Sequence, residues 1–287
     1  MTRVADYLDL VRAPASLTVL GDALVGALSA RGAGDDRLRV GALAAASVCL
    51  YSAGMALNDW ADADLDARER PERPIPSGRI SRDRALAVGV GLTALGVGAA
   101  FAAGRRSGLV SVALAGALWA YDTVFKPTAA GPIVMAVCRG LDVMMGAAGP
   151  GWRSALVPAG AVAAHTVAVT AISRGEVDGS TVPTGRVAVA TSVAVAASGL
   201  LGRSNRSAAV LGGARYLAAV LPGQLAVARH PGAAQARDAT RAGIRAVVPL
   251  QSALAARAGS PLATATLVGI ETLGRVLGRR RSTGDIT

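Results

Sequence analysis

LRVGALAAASVCLYSAGMAL (residues 38–57) runs straight into NDWADADLD (58–66) and then ARERPERPIPSGRIS (67–81). The first stretch is as long as a bilayer core requires of a helix, about 20 residues. Its one charge, Arg39, sits near its start. The second stretch places Asn58, Asp59, Asp62, Asp64 and Asp66 immediately at the end of that apolar run. The third is a polar loop rich in arginine and proline. An apolar span that delivers carboxylates to a membrane boundary decides how the rest of the chain is read.

Outward from this stretch the same pattern repeats. Further apolar runs lie at roughly 14–31, 83–103, 107–122, 131–149, 155–172, 185–201, 206–228, 240–257 and 260–277. The fold class expected is all-α: a polytopic transmembrane helical bundle of about nine spans, with eight to ten accepted. It forms a single integral-membrane domain over residues 1–287. The weakest candidates are 206–228, which carries Arg215, and 240–257, which carries Arg241, Arg245 and Pro249; either is open to being an interfacial or broken helix. Ala and Gly recur at four-residue spacing, which suits close backbone packing in lipid.

Composition agrees. The chain is 52% hydrophobic and only 17% charged, against about 25% charged in a soluble domain. The net charge of +11 comes from one lysine, Lys126, and an excess of arginines. These cluster at the ends of apolar runs, as loop arginines of membrane proteins do. With aromatic residues at 3%, stacking platforms for bases are missing and nucleic acid is not an expected partner; the lipid bilayer is. Cys49 and Cys138 each lie in an apolar run and read as buried small hydrophobes. The arginine, alanine and glycine bias fits a GC-rich genome, and the expected location is a bacterial plasma membrane. The N-terminus has no signal-peptide pattern, so the first span is expected to stay as an anchor. Six arginines in the 58–84 loop place that loop in the cytoplasm. The N-terminus and the loops near 122–131 and 173–184 then share its side.

On a helix, Asn58, Asp59, Asp62 and Asp66 fall at roughly 0°, 100°, 40° and 80°, while Asp64 falls near 240° on the other side. Three carboxylates on one face, about 6 Å apart, repel by roughly 3 kcal/mol per pair at an effective dielectric near 20. A cation between them relieves that. Carboxylates without His or Cys suit a hard ion, and Mg²⁺ fits best because it takes a few carboxylates together with phosphate oxygens. The plainer alternative is a solvated acidic cap balanced by the following arginines.

Asn58–Asp66 resembles the first motif, NDxxDxxxD, of the UbiA superfamily of intramembrane prenyltransferases, and RPERPIPSGRIS at 70–81 resembles the stretch that follows it there. The resemblance implies a Mg²⁺-dependent transfer of an isoprenyl group from an allylic isoprenyl diphosphate to a lipophilic, often aromatic, acceptor. It implies metal ligation by Asp59, Asp62 and Asp66, with Asn58, Asp62 and Asp66 in the catalytic set. A second region, Tyr121–Lys126 with Arg139, matches the family's diphosphate-binding region at Lys126 and Arg139; Asp122 is an extra polar contact. Arg139 has a local alternative, pairing with Asp142 three residues on. A third region, Ser173–Ser180, is similar to the family's second acidic motif and implies Glu176 and Asp178 as further metal ligands. It departs from the motif at Ser180, where an acid is usual, and at Ile172 and Ser173, one of which is often acidic. His165 reads as a packed, hydrogen-bonded residue, and Arg279–Arg281 as a headgroup anchor. Two other classes remain open on sequence alone: a non-catalytic membrane protein that binds isoprenoid lipids, and a transporter of anionic or lipid-linked solutes.

Overall fold

The computed structural model describes residues 3–260 other than 17, 31–36 and 202–205, together with Thr264, Leu267 and Gly269. The candidate span at 260–277 and the arginines at 279–281 therefore lie outside the described residues, apart from those few positions.

Among the described residues the chain is built of helices joined by turns and loops, with no strand. Short helices α1 (Val4–Leu10) and α2 (Ala13–Ser16) lead into α3 (Leu20–Ser29) and α4 (Arg37–Ala61). After α5 (Ala63–Glu69) come α6 (Arg82–Ala103), α7 (Arg105–Ala120), α8 (Gly131–Gly146) and α9 (Leu156–Ser173). The bundle closes with α10 (Val182–Ser198), α11 (Arg206–Arg229) and α12 (Ala233–Arg257). Consecutive long helices pack against each other, α4 against α6 across the longer 62–81 connection and the later ones across shorter turns, so their directions alternate. One end of the bundle gathers the connections after α4, α7, α9 and α11. At the other end, Arg39 ties the chain together by donating to the carbonyls of Ala103 and Ala148, each at 3.2 Å.

Among the described residues, five helical segments are long and apolar enough to cross a membrane: Arg37–Ala61, Arg82–Ala103, Arg105–Phe125, Trp152–Ser173 and Arg206–Arg229. α3 and α10 are shorter apolar helices. The expected first span, 14–31, is helical over only part of its length. Arg12 has a left-handed backbone, φ 48°, and turns replace helix near 18–19, so α3 starts at Leu20. The two weakest candidates are both continuous helices. α11 carries Pro222 internally, and α12 carries Pro249 and begins at Ala233, earlier than hydropathy indicates. Residues 246–256 of α12 are all buried, which makes it a central helix of the bundle.

Small residues set the helix spacing. α3 and α8 cross where Gly26 faces the carbonyl of Val143 and Gly146 faces that of Ala23. A Cβ on Gly146 would meet the Ala23 oxygen at 2.0 Å. Both neighbours are backbone and cannot swing away. Gly146→Ala is therefore expected to destabilise the protein by about 1–3 kcal/mol, as overpacking does. Gly91→Ala, on α6 with open space around it, is expected to gain about 0.5–1 kcal/mol. Thermal unfolding of the two variants in detergent checks the contrast.

Candidate active site

The acidic stretch stays nearly helical. The Asp62 N–H bonds the Asn58 carbonyl at 2.9 Å and the Asp66 N–H bonds the Asp62 carbonyl at 2.8 Å, which carries α4 into α5 with little change of direction. Asp59 and Asp66 are buried, 3% and 1% exposed. Asp64 points away, its side chain 88% exposed and 3.3 Å from Arg82.

Each acid on the inner face meets a cation of the chain. Arg73 bridges Asp59 at 3.4 Å and Asp66 at 2.6 Å. Arg12 reaches Asp59 at 3.4 Å. Lys126 pairs with Asp62. Arg73 is aimed inward by a compact turn: Ser77 Oγ donates to the Arg73 carbonyl at 2.6 Å, and the Ile80 N–H bonds Pro74 at 3.0 Å. Ile80 is then buried with Leu10, Ala56 and Ala85. Arg79 leaves the same turn outward and pins α1, lying 3.0 Å from both Asp6 and Asp9. The Arg3 backbone N–H and the Arg79 guanidinium hold the Asp6 carboxyl below the usual carboxylate range.

Lys126 reaches Asp62 because α7 ends in a widened π turn, Tyr121–Phe125, closed by the Lys126 N–H on the Tyr121 carbonyl at 2.8 Å. The same turn aims buried Asp122 at Asn58, whose Nδ2 donates to it at 3.2 Å. The third region joins here. Arg174 donates to the carbonyls of Thr128 and Pro127, just past Lys126. Arg237 donates to the Glu176 carbonyl at 2.6 Å. Glu176 is half-buried and Asp178 exposed, at the same end of the bundle as Asp62.

Arg139 lies deeper. Its partner is Asp22 on α3, at 2.8 Å, and not Asp142 as local spacing suggests. Asp142 instead accepts from Ser47 Oγ at 2.6 Å. Gln251 of α12 donates to Asp22 and to the Thr18 carbonyl, both at 2.7 Å. Asp22 is fully buried. Asp142 is ruled out as the partner by the neighbouring helix: α3 enters at just the level where Arg139 points inward, and its carboxylate takes the guanidinium. His165 is buried, 2.9 Å from the Tyr216 hydroxyl and 3.1 Å from the Gly243 carbonyl, as a hydrogen-bonded packing residue should be.

Four participants escaped the sequence reading: Arg12, Arg73, Asp22 and Gln251. Arg73 stood inside the quoted motif without a role. Asp22 did carry a signal, since an acid inside an apolar run needs a partner there.

For a divalent ion, the residue types fit. The donors are all carboxylates, and the buried Asp66 Oδ1 has no hydrogen-bond partner; the Arg70 guanidinium is 3.8 Å from it. Among the described residues no three such side chains are close enough to share an ion as they stand. Their positive partners are the chain's own.

Residues 19–230 match the family model of the UbiA prenyltransferase family. The chain belongs to this family. A digeranylgeranylglyceryl phosphate synthase of Methanopyrus kandleri is 36% identical over 152 residues, 50% of this chain and 52% of that protein. A protoheme IX farnesyltransferase of Methylocella silvestris is 39% identical over 95 residues, 32% of this chain and 30% of that protein. The chain thus spans about half the length, or less, of these curated relatives. Among solved structures, an apo UbiA homologue from Aeropyrum pernix K1 superposes with TM-score 0.67 at 19% identity, covering 92% of this chain and 98% of that one. A UbiA homologue from Archaeoglobus fulgidus bound to GPP and Mg²⁺ gives TM-score 0.54 at 13% identity, covering 94% and 99%. These likenesses establish a polytopic membrane fold.

The Asp22–Arg139 pair generates a stability prediction. Removing one partner of a buried pair strands the other charge, at about 3–5 kcal/mol. Arg139→Met is expected to lower thermal stability by that much. The double variant Asp22→Asn/Arg139→Met should recover part of the loss, because no bare carboxylate remains. A double-mutant cycle on unfolding midpoints in detergent measures the coupling.

Proposed function

We propose that this end of the bundle binds an allylic isoprenyl diphosphate with Mg²⁺ and transfers its prenyl group to a lipophilic acceptor within the membrane. The observation that carries the reading is the convergence of Asp59, Asp62 and Asp66 with Arg12, Arg73 and Lys126 at one membrane boundary. Such a site offers acids to a metal ion and bases to a diphosphate at once. Family membership supports it, as does the GPP and Mg²⁺ of the Archaeoglobus fulgidus homologue.

Asp59, Asp62 and Asp66 would hold the ion, with Glu176 and Asp178 completing its oxygen donors from the facing turn. An ion held there would supply charge neutralisation to the departing diphosphate. Arg73, Arg12 and Lys126 are released from their acids on binding and turn to the diphosphate oxygens. Arg139 lines the wall farther in. As the allylic C–O bond breaks, negative charge grows on the leaving group, and these cations stabilise it more than they stabilise the bound ester. Asn58, held by Asp122, orients the reacting end. The apolar helices enclose the tail and keep water from the allylic cation before the acceptor captures it. The arginine-rich loop supports a cytoplasmic position for this end.

Asp62→Ala is expected to reduce Mg²⁺-dependent diphosphate release from farnesyl or geranylgeranyl diphosphate by on the order of 10²-fold or more, with the unfolding midpoint unchanged. Asp64→Ala, on the exposed side, should retain activity. Full activity in Asp62→Ala overturns the site. Wild-type protein that binds the diphosphate with Mg²⁺ but releases none with any acceptor extract supports a lipid-binding, non-catalytic role, which Ser180 in place of an acid favours.

A further inference from the structure

Asp59, Asp62, Asp66 and Asp122 stand together on the inner side of this end of the bundle. Three of them face cations. Asp59 has Arg12 and Arg73, Asp66 has Arg73, and Asp62 has Lys126. Asp122 is buried, 8% exposed, and has no ion pair among the described residues. Its partner is a neutral amide: Asn58 Nδ2 donates to its Oδ1 at 3.2 Å. Among the described residues that is the one hydrogen bond of this carboxylate, so its Oδ2 is left without a donor. An acid inside an apolar bundle without a cationic partner marks a place where a proton or a ligand is handled.

Its position shows what it is free for. The widened end of α7 presents two side chains to α4, Lys126 to Asp62 and Asp122 to Asn58. Asn58 and Asp62 are one helical turn apart, about 6 Å. α4 runs outward to this end, so Asn58 is the deeper of the two. Asp122 therefore lies one turn farther in than the Lys126–Asp62 pair. With the diphosphate at Asp62 and Lys126, as in the reading above, the allylic carbon trails inward toward the level of Asn58 and Asp122. The charges that act on Asp122 are those of Lys126, Asp62 and Arg12. Tyr121 and Cys138 are its other titratable neighbours. A carboxylate does not suit a contact with diphosphate oxygens, since two anions repel. It suits a ligand atom that carries a hydrogen.

We infer that Asp122 is the base of the transfer step: its unpartnered Oδ2 takes the proton that the acceptor loses as the new bond forms. The inference rests on the transferase reading and adds a catalytic residue to it. The allylic C–O bond breaks, and its electron pair leaves on the diphosphate. An electron pair of the acceptor's attacking atom makes the new bond to the allylic carbon. The hydrogen on that atom passes as a proton to Asp122, which becomes a neutral carboxylic acid. The departing diphosphate then takes this proton and restores the carboxylate. Atoms and charge balance without a further reactant. Asp59, Asp62 and Asp66 do not serve, because the chain's cations occupy them and, in the reading above, the metal ion replaces those cations. Glu176 and Asp178 are engaged in the same way. Water is kept out of such a site, so the proton needs a side chain to receive it.

The test separates bond breaking from proton removal. Full-length protein in phosphatidylcholine nanodiscs receives Mg²⁺, a membrane-lipid extract and farnesyl diphosphate with heavy oxygen in the bridging position. Migration of the label to non-bridging positions in recovered substrate reads C–O cleavage. Farnesylated product, including farnesol, reads capture. Asp122→Asn keeps an oxygen for Asn58 but is no base. Its product formation is expected to fall on the order of 10²-fold or more, while label migration, farnesyl thiodiphosphate binding and the unfolding midpoint are retained. Asp122→Glu should recover part of the product, and formate, as an external base, should restore part of it in Asp122→Ala. Should Asp122→Asn not fold, Asp122→Ser with and without formate carries the comparison. Parallel loss of label migration and product in Asp122→Asn overturns the inference, because it confines Asp122 to holding Asn58. Undiminished product formation overturns it as well, and so does a wild type that migrates label yet forms no product. A wild type that neither migrates label nor forms product overturns the transferase reading instead.

Discussion

Carboxylates gathered at the end of an apolar helix must face positive charge, and the end of this bundle that carries Asp59, Asp62 and Asp66 is organised around that requirement. Asp59, Asp62 and Asp66 cannot spread into solvent, because Asp59 and Asp66 are buried. The chain supplies their counter-charges from three separate segments: Arg12 before α2, Arg73 in the loop before α6, and Lys126 after α7. Those pairings close the N-terminal segment, the proline-rich loop and the α7–α8 connection onto one another. On the proposed function, an ion and a diphosphate would take the place of the chain's own cations at these carboxylates and free the basic groups. On that proposal, site occupancy and the arrangement of these loops would be linked through the same carboxylates.

A second charged layer lies deeper. Asp22, Arg139 and Gln251 join α3, α8 and α12, and Asp142 with Ser47 adds α4. Apolar side chains give helices in lipid little reason to choose one neighbour over another, because the tails are equally apolar. Hydrogen-bonded polar groups and glycine crossings do distinguish them. Gly26 and Gly146 bring α3 and α8 close enough for a short aspartate to reach the arginine.

Sequence carried some of this and not the rest, for physical reasons. The helical wheel of Asn58–Asp66 holds because the chain stays helical through Asp62, and it sends Asp64 outward as the wheel requires. Hydropathy located α4, α6, α7, α9 and α11 because each is a nearly unbroken apolar run. It shortened α12, whose first turns carry arginines on one stripe while the opposite stripe, Ala236, Ala239 and Gly243, is buried; window averages cancel the two. It lengthened the first span, since an average does not see the left-handed backbone at Arg12. The partner of Arg139 was illegible because spacing rules reach only along one helix, whereas Asp22 arrives from another. The pairing of Arg73 depends on a turn that folds the loop back over its own motif.

The short α3 links both layers. Because the chain turns at Arg12 and begins its helix only at Leu20, it places Arg12 on Asp59 and Asp22 on Arg139. The counter-charge of a buried carboxylate at the end of the bundle and the ion pair deep within it both follow from one departure from regular helix.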